Sequence, residues 1–355
     1  MPENAQDLTA IVLLNLGGPD SLEAVEPFLY NLFCDPFIID LPLGFLFRKP
    51  LAKHISTKRA KEVRHFFQLI GGKSPLLDLT QQQAQALERR LNEFGKYKVF
   101  IAMRYWHPLT AEAMQQVRAS GATAVVLLPL YPQYSRVTTT SSLAEWKRLA
   151  HKHDVDKIPT RIIPSYHGDA NYLAAVVENL QRCLQENWPP YEPQPHILFS
   201  AHGVPVSVIE RGDPYQAQIE ETVRLVMEAM QHSHSHIVCY QSKVGKAEWL
   251  KPSTEDTIKN LATQGVKDML VVPIAFVSDH SETLYELDIL LKGVADEAGV
   301  RKYVRMPSLN ASPLFINALA ELVRKATQTA PTSMALLGEL NMDDFIRRRA
   351  NPRTE

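Results

Sequence analysis

"AIVLLNLGGP" (10–19) and "HILFSAHGVP" (196–205) carry one pattern twice: an apolar run, a glycine turn and a proline. A short apolar run that ends in turn residues reads as a buried strand. Three more pairs follow in the same order. "KVFIAMRY" (98–105) matches "HIVCYQSK" (236–243), and "AVVLLPLYPQYS" (124–135) matches "MLVVPIAFVSDH" (269–280), with Pro129 opposite Pro273. "RIIPSYHGDANYLAAVVENL" (161–180) matches "YVRMPSLNASPLFINALAEL" (303–322), with Pro164-Ser165 opposite Pro307-Ser308. Longer amphipathic stretches separate the runs. Such alternation predicts parallel sheets covered by helices.

Four strand signals repeated in register read as an internal duplication. The expected fold is α/β: two similar Rossmann-like domains, each a four-stranded parallel sheet flanked by helices, with a cleft between them. The Pro-rich "ENWPPYEPQP" (186–195) ends a helix and cannot serve as a central strand, so it marks the join. The expected divisions are 8–185, 194–330 and a tail at 331–355. The tail ends in the basic stretch "MDDFIRRRANPRTE", read as a frayed end.

The halves differ in length. Between the first-strand and third-strand prolines the first half is roughly 40 residues longer, which short β/α connections do not require. The surplus falls at about 26–76, rich in Phe, Leu and Ile and interrupted by Pro36, Pro42 and Pro50. Two readings fit it: a small helical subdomain with its own core, or an apolar lip beside a cleft that also touches a membrane surface.

Composition narrows the function. Lys plus Arg is 38 and Asp plus Glu is 39, a formal net charge of −1, so nothing in the balance calls for nucleic acid. Hydrophobic residues make up 45%, enough for a large core. Cys34, Cys183 and Cys239 are far apart and form no C-x-x-C, which argues against a disulfide framework or a zinc ribbon. The polar start "MPENAQDLTA" has no apolar signal core, and no run of about 18 uncharged apolar residues exists. The expected location is cytoplasmic. No oligomeric interface is legible.

In open α/β sheets, ligands sit beyond the carboxyl ends of the strands. Those ends supply Leu16, Gly17 and Gly18; Arg104, Tyr105 and His107; Tyr131, Gln133 and Tyr134 in the first half. In the second half they supply Ser200 and His202; Gln241, Ser242 and Lys243, with Trp249 beyond; and the acidic stretch "SDHSETLYELD" (278–288). "NLGGPD" is a poor dinucleotide site: it lacks G-x-G-x-x-G, and Pro19 removes a backbone donor. A lone His after a strand is commonly a satisfied structural residue, yet His202 faces carboxylates, and that combination suits metal handling or proton transfer. Ser278 and Asp279 read as helix caps, Glu282 as a first-turn carboxylate, and Glu286 as its neighbour one turn on. The plain alternative is a capped helix with a solvated acidic face. "HSHSHI" (232–237) precedes its strand, on the wrong edge for the cleft, and reads as a solvated loop.

Seven segments together, "LLNLGGPDS", "RYWHPLT", "LPLYPQYS", "FSAHGVP", "RGDPY", "YQSKVGKAEWL" and "SDHSETLYELD", resemble the ferrochelatase family, in order and in spacing from about Ile11 to Leu322. The resemblance implies a lyase of haem biosynthesis that inserts ferrous iron into protoporphyrin IX, with porphyrin and iron as substrates. By it, His202 and Glu282 bind the metal or take the pyrrole protons. Asp279, His280 and Glu286 continue an acidic metal path. Leu16, Arg104, Tyr105 and Trp249 line the porphyrin, and Arg59 and Ser74 lie near its propionates. The insert corresponds to the family's lip over the pocket.

Some family members carry a [2Fe-2S] cluster. Here Arg136 stands at the internal cysteine position and no Cys follows Cys239, so no prosthetic group is expected. Phe67 stands where a Tyr is common, and the insert is a few residues longer than usual. Coproporphyrin III is the alternative substrate. A non-catalytic tetrapyrrole or metal carrier is the alternative from another class.

Overall fold

The computed structural model of the chain describes residues 7–39, 44–243, 245 and 247–332, with only the backbone at 45. Pro42 of the insert and most of the expected tail, 333–355, lie outside the described residues.

Among the described residues, eight strands build two parallel sheets. β1 (Thr9–Asn15), β2 (Tyr97–Met103), β3 (Ala124–Pro129) and β4 (Thr160–Ile162) run in the order β2-β1-β3-β4. β5 (His196–His202), β6 (His236–Gln241), β7 (Asp268–Pro273) and β8 (Lys302–Arg305) run in the order β6-β5-β7-β8. The two orders are identical, as a duplication requires. Ile11 pairs with Val126 in the first sheet, and Ile197 with Leu270 in the second.

Alternate residues of each strand enter different cores. Ile11, Leu13, Val126 and Leu128 share one core with Ile197, Phe199, Leu270 and Val272 of the other sheet. Their neighbours Val12, Leu14 and Leu127 face a second core; Leu198, Met269 and Val271 face a third. Both faces of both sheets are thus buried, which is why the strands read as continuous apolar runs.

The shared core is filled by helices from both halves. α1 (Val25–Phe33) and α2 (Gly44–Leu69) lie in the insert; α3 (Leu76–Leu91), α4 (Thr110–Ala119), α5 (Ser141–Ala150) and α6 (Ala170–Asn187) complete the first half. α7 (Val206–Glu210), α8 (Tyr215–Ala229), α9 (Thr254–Thr263), α10 (Lys292–Glu297) and α11 (Pro313–Thr327) follow. α11 packs on α6 and α3 and reaches β3 and β4, so the last helix covers the first sheet. Phe315, Ile316, Leu319 and Val323 carry that contact beside Leu87 and Leu91 of α3.

The insert has a small core of its own. Val25, Phe28, Leu29, Phe33, Ala52 and Phe67 pack together with Tyr105. Pro50 does not interrupt it: α2 runs for 26 residues with Pro50 inside. Pro50 stands early in the helix, so it removes one donor near the first turns, and the chain continues.

A π-helix follows the third strand of each half, Arg136–Thr140 after β3 and Glu282–Leu291 after β7. Segments of this rare geometry are frequent at functional sites.

Candidate active site

The carboxyl ends of the two sheets meet. Gln133, beyond β3, donates through Nε2 to Thr222 Oγ1 (3.1 Å) and to the Ile274 carbonyl beyond β7 (3.4 Å). The Tyr134 amide donates to Gln218 Oε1 at 2.7 Å. On the other side α2 reaches the second π-helix, where Phe66 stacks on Tyr285 with ring centroids 4.3 Å apart.

His202 is the last residue of β5. Its Nδ1 lies 2.6 Å from the Gly203 carbonyl, and a carbonyl only accepts, so Nδ1 carries the proton. In the neutral ring Nε2 then keeps its lone pair. Trp249 (ring centroids 6.5 Å) and Phe276 (6.4 Å) flank the imidazole. Gly203 permits this approach, because a Cβ there would lie 3.2 Å from the Trp249 ring and 3.0 Å from the Gln241 carbonyl. Backbone bonds from Val206 to Glu248 and from Leu250 to Val204 hold Trp249 in place.

His280 and Glu282 stand together, with His280 Nε2 3.1 Å from Glu282 Oε2. The Ser281 hydroxyl donates to the same carboxylate oxygen at 2.7 Å. Phe276 packs edge-on against His280 at 4.5 Å, so one aromatic ring touches both histidines. Burial alone would push the Glu282 carboxyl up. The charge of His280, the Ser281 hydrogen bond and His202 outweigh it and hold the carboxyl below its ordinary value.

Asp279 and Glu286 are engaged elsewhere. Asp279 accepts from Arg305 Nη1 (2.8 Å) and from Asn310 Nδ2 (2.9 Å). Arg305 also forms a fork with Asp288 at 2.7 and 2.9 Å. Glu286 accepts from Gln241 Nε2 (3.0 Å), from the Ser242 amide (2.8 Å) and from the Ser242 hydroxyl. Ser278 and Asp279 therefore do not cap the helix. The Ser278 hydroxyl accepts from Gln83 of α3 at 2.9 Å, and the helix starts beyond them with Ser281 and Glu282. Of the five residues expected along a metal path, the structure sets His202 and His280 against Phe276 with Glu282 on His280, and engages Asp279 with Arg305 and Glu286 with Gln241 and Ser242.

The first half presents a different chemistry. The Arg104 amide donates to the Asn15 carbonyl (2.9 Å) and the Tyr105 amide to the Leu16 carbonyl (3.0 Å), which brings Leu16, Arg104 and Tyr105 together. Gly17 adopts φ +83°, where a side chain is strained, and a Cβ would lie 3.1 Å from the Trp106 amide. Ser74 packs against Gly18, and its amide donates to the Pro19 carbonyl at 2.8 Å. Tyr105 is 1% exposed, and burial with the nearby Asp35 charge drives its hydroxyl well above the ordinary range. Arg59 lies mid-way along α2, half-buried, and makes no ion pair among the described residues.

Phe276, Arg305 and Asp35 stand at the site without a motif in the sequence that marks them. Arg305 ends β8 and was open to the strand-end rule. Phe276 was absorbed into an apolar run that the strand leaves at Pro273. The histidines of "HSHSHI" lie at the opposite, amino end of the second sheet, where His234 and His196 line a depression of about 570 Å³.

The ferrochelatase family model matches residues 8–327. The chain belongs to the ferrochelatase family. The ferrochelatase of Trichodesmium erythraeum (strain IMS101) is 50% identical over 319 residues, 89% of this chain and 82% of that one. The ferrochelatase of Aquifex aeolicus (strain VF5) is 47% identical over 314 residues, 88% and 98% of the two chains. Among solved structures, the sirohydrochlorin chelatase of Bacillus subtilis subspecies spizizenii in complex with cobalt is similar at 12% identity, with a TM-score of 0.51 over 90% of this chain and 94% of that one. That likeness concerns the two-domain α/β fold. As a ferrochelatase, the chain is a metal-inserting lyase of haem biosynthesis.

Proposed function

We propose that the chain inserts ferrous iron into protoporphyrin IX, and that the second half carries the metal and proton chemistry while the first half holds the ring. Insertion replaces two pyrrole N–H bonds by bonds to iron and releases two protons. A base and an ionised acceptor are needed beside an apolar slot. The observation that carries the reading is His202: its Nδ1 proton is committed to Gly203, so Nε2 is available to take a pyrrole proton. Glu282, held ionised beside His280, is the second acceptor or an iron ligand. Trp249 and Phe276 wall the site, and Leu16 and Arg104 bear on the ring from the other side with Tyr105 buried behind them, with Arg59 and Ser74 toward its propionates.

The test is to mix protein, ferrous iron and protoporphyrin IX without oxygen and follow haem absorbance. Insertion by the wild type and its loss in His202→Ala is the expected result. No turnover, or undiminished turnover in His202→Ala, overturns the reading; tight porphyrin binding without turnover indicates a carrier. "QSKVG" and "ETLYELD" resemble the protoporphyrin-using branch of the family, and competition with coproporphyrin III decides between the two.

No iron-sulfur cluster is part of this proposal: Cys34, Cys183 and Cys239 are free thiols on separate elements, and Arg136 occupies the internal position. Contact with a membrane is proposed for the insert. Leu46 and Phe47 are 56% and 60% exposed at the start of α2, a helix with seven Lys or Arg and one Glu. Apolar tips beside a basic face suit an anionic bilayer surface. Among the described residues no helix is long and apolar enough to cross a membrane.

A further inference from the structure

We propose that Asp35, contributed by the insert, is a positioning residue that sets the Arg104 guanidinium for the porphyrin. The inference rests on the reading of Arg104 as a porphyrin-facing residue. Asp35 is 2% exposed. Its Oδ2 takes the Arg104 Nη2 at 2.8 Å, the Tyr105 hydroxyl at 2.7 Å and the Ser141 hydroxyl. Its Oδ1 accepts from the Phe37 amide at 2.9 Å. Ser141 in turn accepts from Arg104 Nε at 2.8 Å.

The directions are fixed by what each group can do. A carboxylate only accepts, so Tyr105 and Ser141 both donate to Asp35. Ser141 has one proton; having spent it on Asp35, its oxygen is left to accept from Arg104. The guanidinium is thereby gripped at Nε and Nη2, while Nη1 makes no hydrogen bond with any described residue. Arg is otherwise a floppy side chain. Two fixed points on a planar fork leave one orientation, and the remaining donor is presented without further ordering.

The second half solves the same problem differently. There the end of β6, Gln241 and Ser242, is gripped by Glu286 of the π-helix. In each half one carboxylate from outside the sheet fixes the end of the second strand. In the first half that carboxylate comes from the insert, so the insert is joined to the ring-holding end of the sheet by a charge pair as well as by its apolar core.

The experiment measures kcat and porphyrin KM anaerobically for Asp35→Asn, Arg104→Met and the double variant, with thermal melts as the folding control. Asp35→Asn is expected to raise KM for protoporphyrin on the order of ten-fold with kcat changed by less than about three-fold. Added to Arg104→Met, it is expected to change KM no further, because Asp35 acts through Arg104. An unchanged KM in Asp35→Asn, or effects that multiply in the double variant, overturns the proposal. If Arg104→Met itself keeps the wild-type KM, the reading of Arg104 is what fails. Should Asp35→Asn not fold, Ser141→Ala removes the second grip and is expected to give the same rise in KM; a normal KM there overturns the proposal equally.

Discussion

His280 Nε2 lies 3.1 Å from Glu282 Oε2, and Nδ1 of the same ring lies 3.0 Å from the Ser278 carbonyl. Nδ1 must donate to that carbonyl, so Nε2 and the carboxylate can bond only with a proton between them. The pair is a place where a proton can wait beside an ionised acceptor.

Glu282→Gln is therefore expected to lower insertion by about 10²–10⁴-fold, since Gln can neither accept a proton nor balance a cation. A pH signature accompanies it. The Glu282 carboxyl is held below its ordinary value, so its ionisation favours the folded state above the unfolded-chain value near 4.5. That advantage is lost as pH falls through the lowered value. Urea melts of wild type and Glu282→Gln should differ at neutral pH and converge in acid. Full activity in Glu282→Gln would contradict the role.

Asp279→Asn is expected to act on stability. The Asp279 and Arg305 side chains are 13% and 9% exposed, and removing the charge leaves Arg305 with Asp288 alone. A loss of about 1–3 kcal/mol is expected from denaturant melts. Burial would raise the Asp279 carboxyl, but Arg305, Asn310 and Ser308 hold it down, so this stability too is present above the usual carboxylate range and fades in acid. An unchanged neutral-pH midpoint would show that the Arg305 cluster is not stabilising.

Phe66→Ala removes the stack on Tyr285 that joins α2 to the second π-helix. About 1 kcal/mol of local stability should go with it. Hydrogen exchange is the measurement: amides of α2 should exchange faster while those of β5 and β7 hold. Uniform change across the protein, or none, would mean that the stack does not anchor the insert.

Leu46→Ser with Phe47→Ser should reduce sedimentation with liposomes containing anionic lipid and leave insertion of soluble porphyrin intact. Binding that is unchanged, or absent already in the wild type, removes the membrane proposal.

The duplication was legible because apolar strands buried on both faces leave unbroken runs, and because the proline that ends each third strand repeats. The strand-end rule picks out His202, Arg104 and Gln241, and these lie at the carboxyl ends of β5, β2 and β6. The π-helices were not legible: the wider turn of an i→i+5 helix has a longer period than an ordinary helix, but ten residues cover too few turns for the side-chain pattern of "ETLYELDILL" to separate them. Nor could spacing tell that Asp279 turns to Arg305, 26 residues away in sequence, and not to the helix just after it. Propensity scores Pro50 as a break, whereas burial of Ala52, Ser56, Ala60 and Phe67 on one face carries α2 through.

α11 covers the first sheet's inner face, yet it ends at Thr327. On the ribosome, residues of β1 emerge about 300 residues before the helix that seals them. The first half therefore waits, partly uncovered, until residues 313–327 have emerged. A stop codon placed before Pro313 would leave a long chain with both sheets present and an unsealed apolar surface, which a protease or a chaperone would find first.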